Sequence, residues 1–329
     1  MGEVYKARDT RLDRIVAIKV LPEHLAESPE RKARFEREAK AISQLNHPHI
    51  CTLHDVGEQD GTDYLVMEYI EGETLAERLK KGARPLDKVL EYGIQIADGL
   101  DNAHRAGIVH RDLKPANVML AKSGVKLLDY GLAKVLEGAA VPVSSDAPTQ
   151  QKDLTDGQSI IGTLAYMAPE QLEGKPSDAR TDIFAFGALL YEMLTGRMAF
   201  TGESQASLIA AILDREPPSI ASLEPMSPPA LEQTIKTCLE KNPEDRWQGA
   251  GDLGRQLKIV LGGSQSSATA VGVRMPRRQS LPWILASFLV VGVLTGLIVS
   301  SLTSPPASTP RPLVWSDVTP ADTPFNSNR

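Results

Sequence analysis

The sequence predicts an α+β fold, in which a small β-rich region precedes a larger helical one. Near the amino end, three short runs have the alternation and residue types of strands: Glu3–Arg8, Ile15–Leu21 and Tyr64–Tyr69. Longer stretches with helical periodicity follow at Leu86–Ala106 and Ile183–Leu194. Strands that come first and helices that come afterwards are typical of this fold class.

The composition is that of an ordinary globular protein. The chain has 329 residues, enough for one large domain or two modest ones, and its formal net charge of -6 argues against a nucleic-acid partner. Two cysteines, Cys51 and Cys238, are too few for a disulfide framework, so we expect free thiols in a reducing compartment. Residues 1–20 lack the long apolar run of a secretory signal peptide.

A helix predicted after the first two strands carries an acidic residue on its apolar face. The polar turn Asp9–Arg14 joins those strands, Ser28 can cap the helix, and Pro29 suits its first position. One face of this helix holds Phe35, Glu38, Ile42 and Leu45. Glu38 should therefore point a carboxylate toward the core, which is costly unless a cation meets it.

Two later helices are predicted to be buried. The buried side of Leu86–Ala106 consists of Leu90, Ala97, Leu100 and Ala103. Ile183–Leu194 is apolar nearly all round, which indicates a helix inside the domain, and Gly196 should end it as a C-cap.

The carboxyl-terminal part is predicted to leave the globular domain and cross a membrane. Composition divides the chain into a domain at residues 1–262, a linker at 263–280, an uncharged helix at 281–302 and a tail rich in Pro, Ser and Thr at 303–329. At about 1.5 Å per residue, the uncharged stretch is long enough for a hydrocarbon core of about 30 Å. Three arginines precede it and mark that side as cytoplasmic: Arg274, Arg277 and Arg278. The alternative is a buried apolar helix of a soluble domain.

The segment His110–Asn117 carries the most informative chemistry. Asp112 and Asn117 lie in it, and a predicted hairpin after it returns Asp129 toward Asn117. Hard oxygen ligands of this kind suit Mg²⁺, which also binds substrate phosphates. Taken alone, an Asp-x-x-x-x-Asn pattern is more often a polar loop with a capping aspartate.

The order of the motifs resembles the protein kinase family, and above all the bacterial receptor-type serine/threonine kinases. The resemblance extends from residue 2 to about residue 262. The matching motifs are Val16-Ala17-Ile18-Lys19, Glu38, His110–Asn117, Asp129-Tyr130-Gly131, Ala168-Pro169-Glu170, Asp182 with Gly187, and Arg246, which is expected to pair with Glu170. The resemblance implies a bilobal kinase fold, with a β-rich N-lobe and a large helical C-lobe, followed by the single transmembrane helix.

The resemblance also implies a role in phosphoryl transfer from ATP for each catalytic residue. Asp112 would accept or orient the proton of the substrate hydroxyl, and Asn117 and Asp129 would hold Mg²⁺. Lys19, paired with Glu38, would position the α- and β-phosphates. Phosphoryl transfer requires positioning and charge stabilisation more than covalent catalysis, and these residue types provide both.

The same resemblance places the nucleotide between the two lobes. Met67 would be the gatekeeper, and the backbones of Glu68 and Ile70 would bond the adenine edge. The other implied nucleotide-site residues are Gly2, Val4, Ala17, Lys19 and Met119. Without the kinase pattern, Met67 and Met119 would be interpreted as core packing.

Two features indicate a serine or threonine acceptor. Lys114 follows Asp112 by two residues, which is the serine/threonine pattern, and it would neutralise charge on the transferring group. The pair Gly162-Thr163 before the Ala-Pro-Glu motif agrees.

A phosphate on the activation segment, residues 129–170, is expected to bind Arg111. Thr155 and Ser159 are the candidate sites for that phosphate. The alternative is that both are ordinary loop hydroxyls.

The sequence departs from the family pattern in three places. The glycine-rich nucleotide loop is reduced to Gly2 and Val4, so the first strand is missing and we expect an upstream start or a truncated chain. Tyr130 stands where the family has Phe and needs a partner for its hydroxyl. Residues 303–329 are too few and too polar for an extracytoplasmic sensor.

His110 is expected to pack in the kinase spine with Ile42, Leu53 and Tyr130.

Two alternatives to an active protein kinase are considered. A pseudokinase scaffold should have lost catalytic residues, and a small-molecule phosphotransferase of related fold usually lacks the Ala-Pro-Glu segment. The expected cofactors are ATP and Mg²⁺. The expected partners are protein substrates with Ser or Thr, the membrane, and a second copy of the chain for trans-autophosphorylation.

Overall fold

The computed structural model of the protein describes residues 3–21, 29–130 and 162–270. The chain divides into two units, residues 1–271 and 272–329, and every described residue belongs to the first. Within that unit a sheet-rich part comes first and helices follow, which confirms the α+β prediction.

A four-stranded antiparallel sheet lies near the amino end, with strand order β1-β2-β4-β3. Its strands are β1 (Val4–Asp9), β2 (Arg14–Val20), β3 (Leu53–Gln59) and β4 (Thr62–Glu68). In the register, Val4 lies opposite Lys19, and Ala17 lies opposite Met67. Because alternate residues of a strand share a face, these four side chains lie on the same side of the sheet.

Helix α1 (Pro29–Ile42) packs through a narrow apolar face. Phe35 and Ile42 are buried in the core, and Glu38, which lies between them, is partly buried. The structure therefore has the mostly apolar face with one carboxylate that the periodicity predicted. The predicted cap, Ser28, lies outside the described residues.

A second sheet carries the hairpin predicted after His110–Asn117. Its strands, in the order β5-β6-β7, are β5 (Gly72–Thr74), β6 (Val118–Ala121) and β7 (Gly124–Leu127). A turn of 3-10 helix, Pro115–Asn117, leads into β6. The chain just before β3 runs beside β7, because Leu127 N–H donates to His49 O and Cys51 N–H donates to Leu127 O, both at 2.9 Å.

Helices form the larger part of the unit. They are α2 (Leu75–Leu79), α3 (Leu86–Arg105), α4 (Pro169–Leu172), α5 (Ala179–Thr195), α6 (Gln205–Asp214), α7 (Ile220–Leu223), α8 (Pro229–Cys238) and α9 (Ala250–Ala270). Helix α3 buries the four predicted residues, Leu90, Ala97, Leu100 and Ala103.

Helix α5 is the buried centre of the helical part, as predicted. The Asp178 side chain caps its start, and Gly196 ends it in the left-handed conformation with φ of 69°. A Cβ on Gly187 would lie 2.5 Å from the Cβ of Cys238, so α5 and α8 meet at a distance that glycine alone allows.

The end of the described region differs from the prediction. Residues predicted as the start of the linker 263–280 continue helix α9 to Ala270. The first turns of α9 pack against α3 with Leu253 and Leu257 buried, and adding residues to an established helix costs little.

In the part of the chain that the structure describes, no helix is long and apolar enough to cross a membrane. The predicted span, 281–302, lies outside that part.

Candidate active site

Three side chains of the His110–Asn117 segment are tied together. Asn117 Nδ2 donates to the backbone oxygen of Asp112 at 2.8 Å and to its Oδ2 at 2.9 Å. Lys114 Nζ lies 2.8 Å from the same Oδ2 and 3.5 Å from Thr163 Oγ1. The Asp112 carboxylate is therefore fixed in direction beside a cation and a hydroxyl-bearing segment, which suits a group that orients a substrate hydroxyl.

Asp182 on helix α5 holds the start of this segment from beneath. Its carboxylate accepts hydrogen bonds from His110 N–H at 2.7 Å and from Arg111 N–H at 2.8 Å, and it lies 2.8 Å from His104 Nε2. Asp182 is 1% exposed, so these bonds satisfy a charge that would otherwise be costly to bury. Arg111 has φ of 65°, a strained conformation that the two backbone bonds stabilise.

Asp129 and Asn117, which both carry side-chain oxygens, flank the hairpin of β6 and β7: Asn117 directly precedes β6, and Asp129 follows the end of β7. Leu128 N–H donates to Asn117 O at 2.9 Å, which brings Asp129 next to Asn117. Neither hydrogen bond of the Asn117 side chain uses its Oδ1. Within the described residues, no group of three or more His, Cys, Asp or Glu side chains is placed to hold a metal. An amide oxygen and a carboxylate fit Mg²⁺, which usually takes its remaining ligands from water and phosphates.

Lys19 does not have the partner that the sequence predicted. Its Nζ lies 2.7 Å from Asp129 Oδ2, and among the described residues no ion pair joins Lys19 to Glu38. The predicted Lys19–Glu38 pair is thus wrong for this structure. A largely buried ammonium requires a carboxylate, and Asp129 after the end of β7 supplies it.

Glu38 is held by two arginines. Its Oε1 lies 3.4 Å from Arg34 Nε, one helical turn earlier, and its Oε2 lies 3.6 Å from Arg111 Nη1. The cation that the periodicity of α1 required is present, but it is guanidinium rather than the Lys19 ammonium. The i, i+4 spacing of Arg34 and Glu38 in the sequence is a signal for the first of these two contacts.

The side chains predicted to surround adenine are divided between the two sheets. Val4, Ala17 and Met67 share one face of the four-stranded sheet, and Met119 lies on β6 of the other. Val4 is 59% exposed, which is consistent with a surface that a ligand can cover. Gly2 lies outside the described residues.

The backbone of Glu68, predicted to bond the adenine edge, is partly engaged. Its N–H donates to Thr52 O at 2.9 Å, and its carbonyl accepts a long 3.7 Å contact from Cys51 Sγ. The Glu68 side chain forms an ion pair of 2.7 Å with Lys126 on β7. This pair links the two sheets where they meet, and sequence reasoning missed it because the two residues are far apart in the chain.

His110 packs with Tyr130 inside the core, as expected. Their ring centroids are 4.6 Å apart, and Ile42 and Leu53 are buried in the same cluster. Burial lowers the pKa of His110, so its imidazole is neutral. Neither His110 Nε2 nor the Tyr130 hydroxyl has a hydrogen-bond partner among the described residues, so the partner that Tyr130 needs is not found there.

Glu170 and Arg246 form the buried pair that the sequence predicted. Arg246 donates to both carboxylate oxygens, at 2.9 and 2.8 Å, and Thr181 Oγ1 donates to one of them at 2.8 Å. Burial by itself would raise the pKa of Glu170, but the hydrogen bonds and the charge of Arg246 outweigh it, and the pKa is lowered. The pair fixes helix α4 against the stretch of chain between α8 and α9.

Comparison with known families supports what this geometry indicates. The protein kinase domain family matches residues 1–253 of the chain. The chain belongs to the protein kinase family. Members of this family use ATP and a divalent metal, which agrees with the oxygen donors and the lobe arrangement described above.

Its relatives include bacterial serine/threonine kinases. A probable serine/threonine-protein kinase of Streptomyces coelicolor is 40% identical, over 82% of this chain and 39% of the relative. The serine/threonine-protein kinase PknB of Mycobacterium tuberculosis is 37% identical, over 82% of this chain and 42% of the relative. This kinase chain thus spans about two fifths of the length of those relatives.

A solved kinase domain has a similar fold. The kinase domain of PknI from Mycobacterium tuberculosis superposes with a TM-score of 0.60 at 27% identity, covering 80% of this chain and 91% of that one. The bilobal architecture predicted from the motifs is therefore shown, with a β-rich N-lobe and a helical C-lobe.

The candidate phosphorylation sites Thr155 and Ser159 lie outside the described residues.

Proposed function

We propose that this chain transfers the terminal phosphoryl group of ATP to serine and threonine hydroxyls of proteins, itself included. The observation that carries the proposal is the cluster of Asp112, Lys114 and Asn117, with Asp129 beside it, at the junction of the two lobes. Its relatives named serine/threonine kinases support the choice of acceptor.

Each residue of the cluster has a task that its contacts allow. Asp112 would orient the acceptor hydroxyl and take its proton, since Asn117 and Lys114 hold its carboxylate in one direction. Lys114, with its ammonium between Asp112 and Thr163, would neutralise charge on the transferring group.

The nucleotide and its metal would lie between the sheets. Asn117 and Asp129 are the residues that would hold Mg²⁺, which when bound neutralises charge on the phosphates. Lys19 would contact the α- and β-phosphates, Ala17 and Met119 would enclose the adenine, and the backbone of Ile70 would bond its edge. In the structure Lys19 instead occupies one oxygen of Asp129, so nucleotide binding would require this pair to open.

The test is phosphate transfer by the Asp112→Asn variant. The wild-type chain should label a generic basic protein and itself on Ser and Thr. The variant should be slower by about a factor of a thousand or more, because it lacks the proton-accepting carboxylate while keeping the shape of the side chain. Equal rates in the two proteins, both folded by circular dichroism, would refute the mechanism.

A second candidate is a pseudokinase scaffold. The contact that favours it is the Lys19–Asp129 pair, because Lys19 lies on Asp129 and not on Glu38, the partner that the kinase pattern implies. The two candidates differ in one measurement: a scaffold binds nucleotide or partners with no transfer in either wild type or Asp112→Asn.

The activation segment and the membrane complete the proposal. Phosphate on Thr155 or Ser159 would raise the kinase activity. Mass spectrometry after incubation with ATP tests for the phosphate, and a comparison of activity with the variant in which both residues are Ala tests its effect.

Residues 281–302 would anchor the kinase as a single-pass protein of the cell membrane, with the kinase domain in the cytoplasm. Protease added to intact cells should then remove only the tail after Leu302; digestion of the kinase domain would refute the topology.

A further inference from the structure

The side chain of Gln171 links helix α4 to the catalytic loop, residues 110–117. Gln171 directly follows the Ala-Pro-Glu motif, and its Nε2 donates to the backbone oxygen of Arg111 at 3.0 Å. Its Oε1 accepts a hydrogen bond from the N–H of Ala168 at 3.1 Å. We propose that Gln171 is a positioning residue, which fixes the direction of the Asp112 carboxylate through the backbone of Arg111. This inference rests on the proposed kinase function and adds a residue to its mechanism.

The peptide group between Arg111 and Asp112 is held on both sides. Its carbonyl accepts the 3.0 Å bond from Gln171, and its N–H, which belongs to Asp112, donates to His110 Nδ1 at a longer 3.4 Å. A peptide group is a rigid plane, so fixing the direction of its carbonyl also fixes the bond that leads to the Asp112 Cα. The amide of Gln171 makes the shorter of these two contacts and therefore gives the stronger hold on the plane.

Arg111 needs such a hold because its backbone is strained. Its φ of 65° lies in the left-handed region, which residues other than glycine seldom adopt. The Asp182 carboxylate holds the N–H of Arg111 at 2.8 Å, and Gln171 holds its carbonyl. Without the second bond, Arg111 can turn toward a more favourable conformation, and Asp112 turns with it.

Gln171 is itself fixed in place. Its neighbour Glu170 is paired with the buried Arg246, which anchors helix α4. Because the Ala168 N–H is a donor and the Arg111 oxygen is an acceptor, the amide group of Gln171 fits in one orientation. Gln171 and Arg111 line a cavity of about 10 Å³, which is at the lower limit for one water, so solvent has little room to replace the amide.

The test compares variants that keep the volume of the Gln171 side chain. Gln171→Glu keeps the acceptor for the Ala168 N–H but places an oxygen against the Arg111 carbonyl. For phosphate transfer to a generic basic protein by the full chain, kcat should fall about ten- to a hundredfold, because a small misplacement of a catalytic group has an effect of this size. KM for ATP should stay unchanged, since Gln171 contacts none of the residues proposed to bind the nucleotide. Gln171→Met makes neither bond and should lose at least as much, and it decides the test if Gln171→Glu does not fold.

Two further measurements separate positioning from a general loss of structure. Gln248→Glu is the matched control: the exposed Gln248 also donates to a backbone carbonyl, Arg246 O at 2.6 Å, on the stretch between α8 and α9, and its replacement should leave kcat unchanged. In a double-mutant cycle with Asp112→Asn, Gln171→Glu should cause little further loss, since the carboxylate through which Gln171 acts is already absent.

The outcomes distinguish this inference from the proposed function. Wild-type kcat in the two Gln171 variants, or a loss that multiplies with that of Asp112→Asn, would overturn the role of Gln171 and leave the kinase function standing. A folded wild type that transfers no phosphate would refute the proposed function, and the positioning role together with it. Circular dichroism establishes that each protein compared is folded.

Discussion

Replacement of Arg246 by Met removes the cation from a buried ion pair while keeping much of the side-chain volume. The Arg246 side chain is 0% exposed and that of Glu170 is 7% exposed. Besides its two bonds to Glu170, the guanidinium donates to the backbone oxygens of Glu240, Arg180 and Lys241, at 2.7 to 3.0 Å. The substitution therefore leaves one buried carboxylate and three carbonyl groups without their donor.

We expect the free energy of unfolding to fall by about 3–5 kcal/mol at pH 8. That is the usual cost of removing one partner of a buried pair, because the remaining charge is uncompensated. For a domain of this size the melting temperature should fall by about 10 °C or more. Arg255→Met is the matched control: Arg255 pairs with Asp252 on helix α9, its side chain is 67% exposed, and its loss should cost about 0.5 kcal/mol or less.

The pH dependence tests the cause of the loss. In the wild type the pKa of Glu170 is below its unfolded value, so its contribution to stability is present above that unfolded value and is lost as the pH falls through the folded pKa. In Arg246→Met, burial without the cation raises the pKa of Glu170, and protonation relieves the buried charge. The stability gap between the two proteins, measured by urea unfolding, should therefore narrow between pH 8 and pH 5.

A second substitution refutes or supports the same reasoning. The double variant Glu170→Gln with Arg246→Met lacks the buried charge and should lose less stability than the sum of the two single variants. A gap that is independent of pH, together with additive losses, would show that packing rather than charge determines the cost.

Three further predictions concern single contacts. Tyr130→Phe should stabilise the domain by about 1 kcal/mol in urea unfolding, because it removes a buried hydroxyl without a described partner, whereas a loss of stability would reveal a partner. Gly187→Ala should destabilise by about 1–3 kcal/mol, since its Cβ would lie 2.5 Å from Cys238 Cβ, and an unchanged melting temperature would contradict that close approach. Burial and the charge of Arg246 lower the pKa of Lys241 to about 8, below its unfolded value near 10.5. As the pH rises from about 8 to about 10.5, the free energy of unfolding of the wild type should therefore increase by about 1–2 kcal/mol relative to that of Lys241→Met. Parallel curves of stability against pH for the two proteins would refute this.

Local chemistry made much of the fold predictable. Helix α5 could be recognised because a helix that is apolar nearly all round is stable only when it is buried, and because Gly196 readily adopts the left-handed conformation that ends a helix. The hairpin that follows Asn117, and the return of Asp129 toward it, depend on near neighbours in the chain and could be predicted for the same reason. The pairing of Glu170 with Arg246 came from the family pattern, because no local rule links residues so far apart.

The extent of helix α9 shows where composition fails. The Gly- and Ser-rich residues after Leu261 predicted a linker, but they continue a helix that is already formed and packed against α3. Composition reports the preference of an isolated segment, whereas extension of an established helix needs only one favourable hydrogen bond for each residue added.

By itself, the sequence determined which charged groups stand at the junction of the lobes: Lys19, Glu38, Arg111, Asp112 and Asp129. The tertiary structure alone decided how they pair, with Lys19 on Asp129 and Glu38 on Arg111. The physical reason is that several opposite charges lie within reach of one another, and pairs of this kind differ by little in energy. The packing of the whole domain sets where helix α1 lies relative to the catalytic loop, and this position determines that Glu38 meets Arg111.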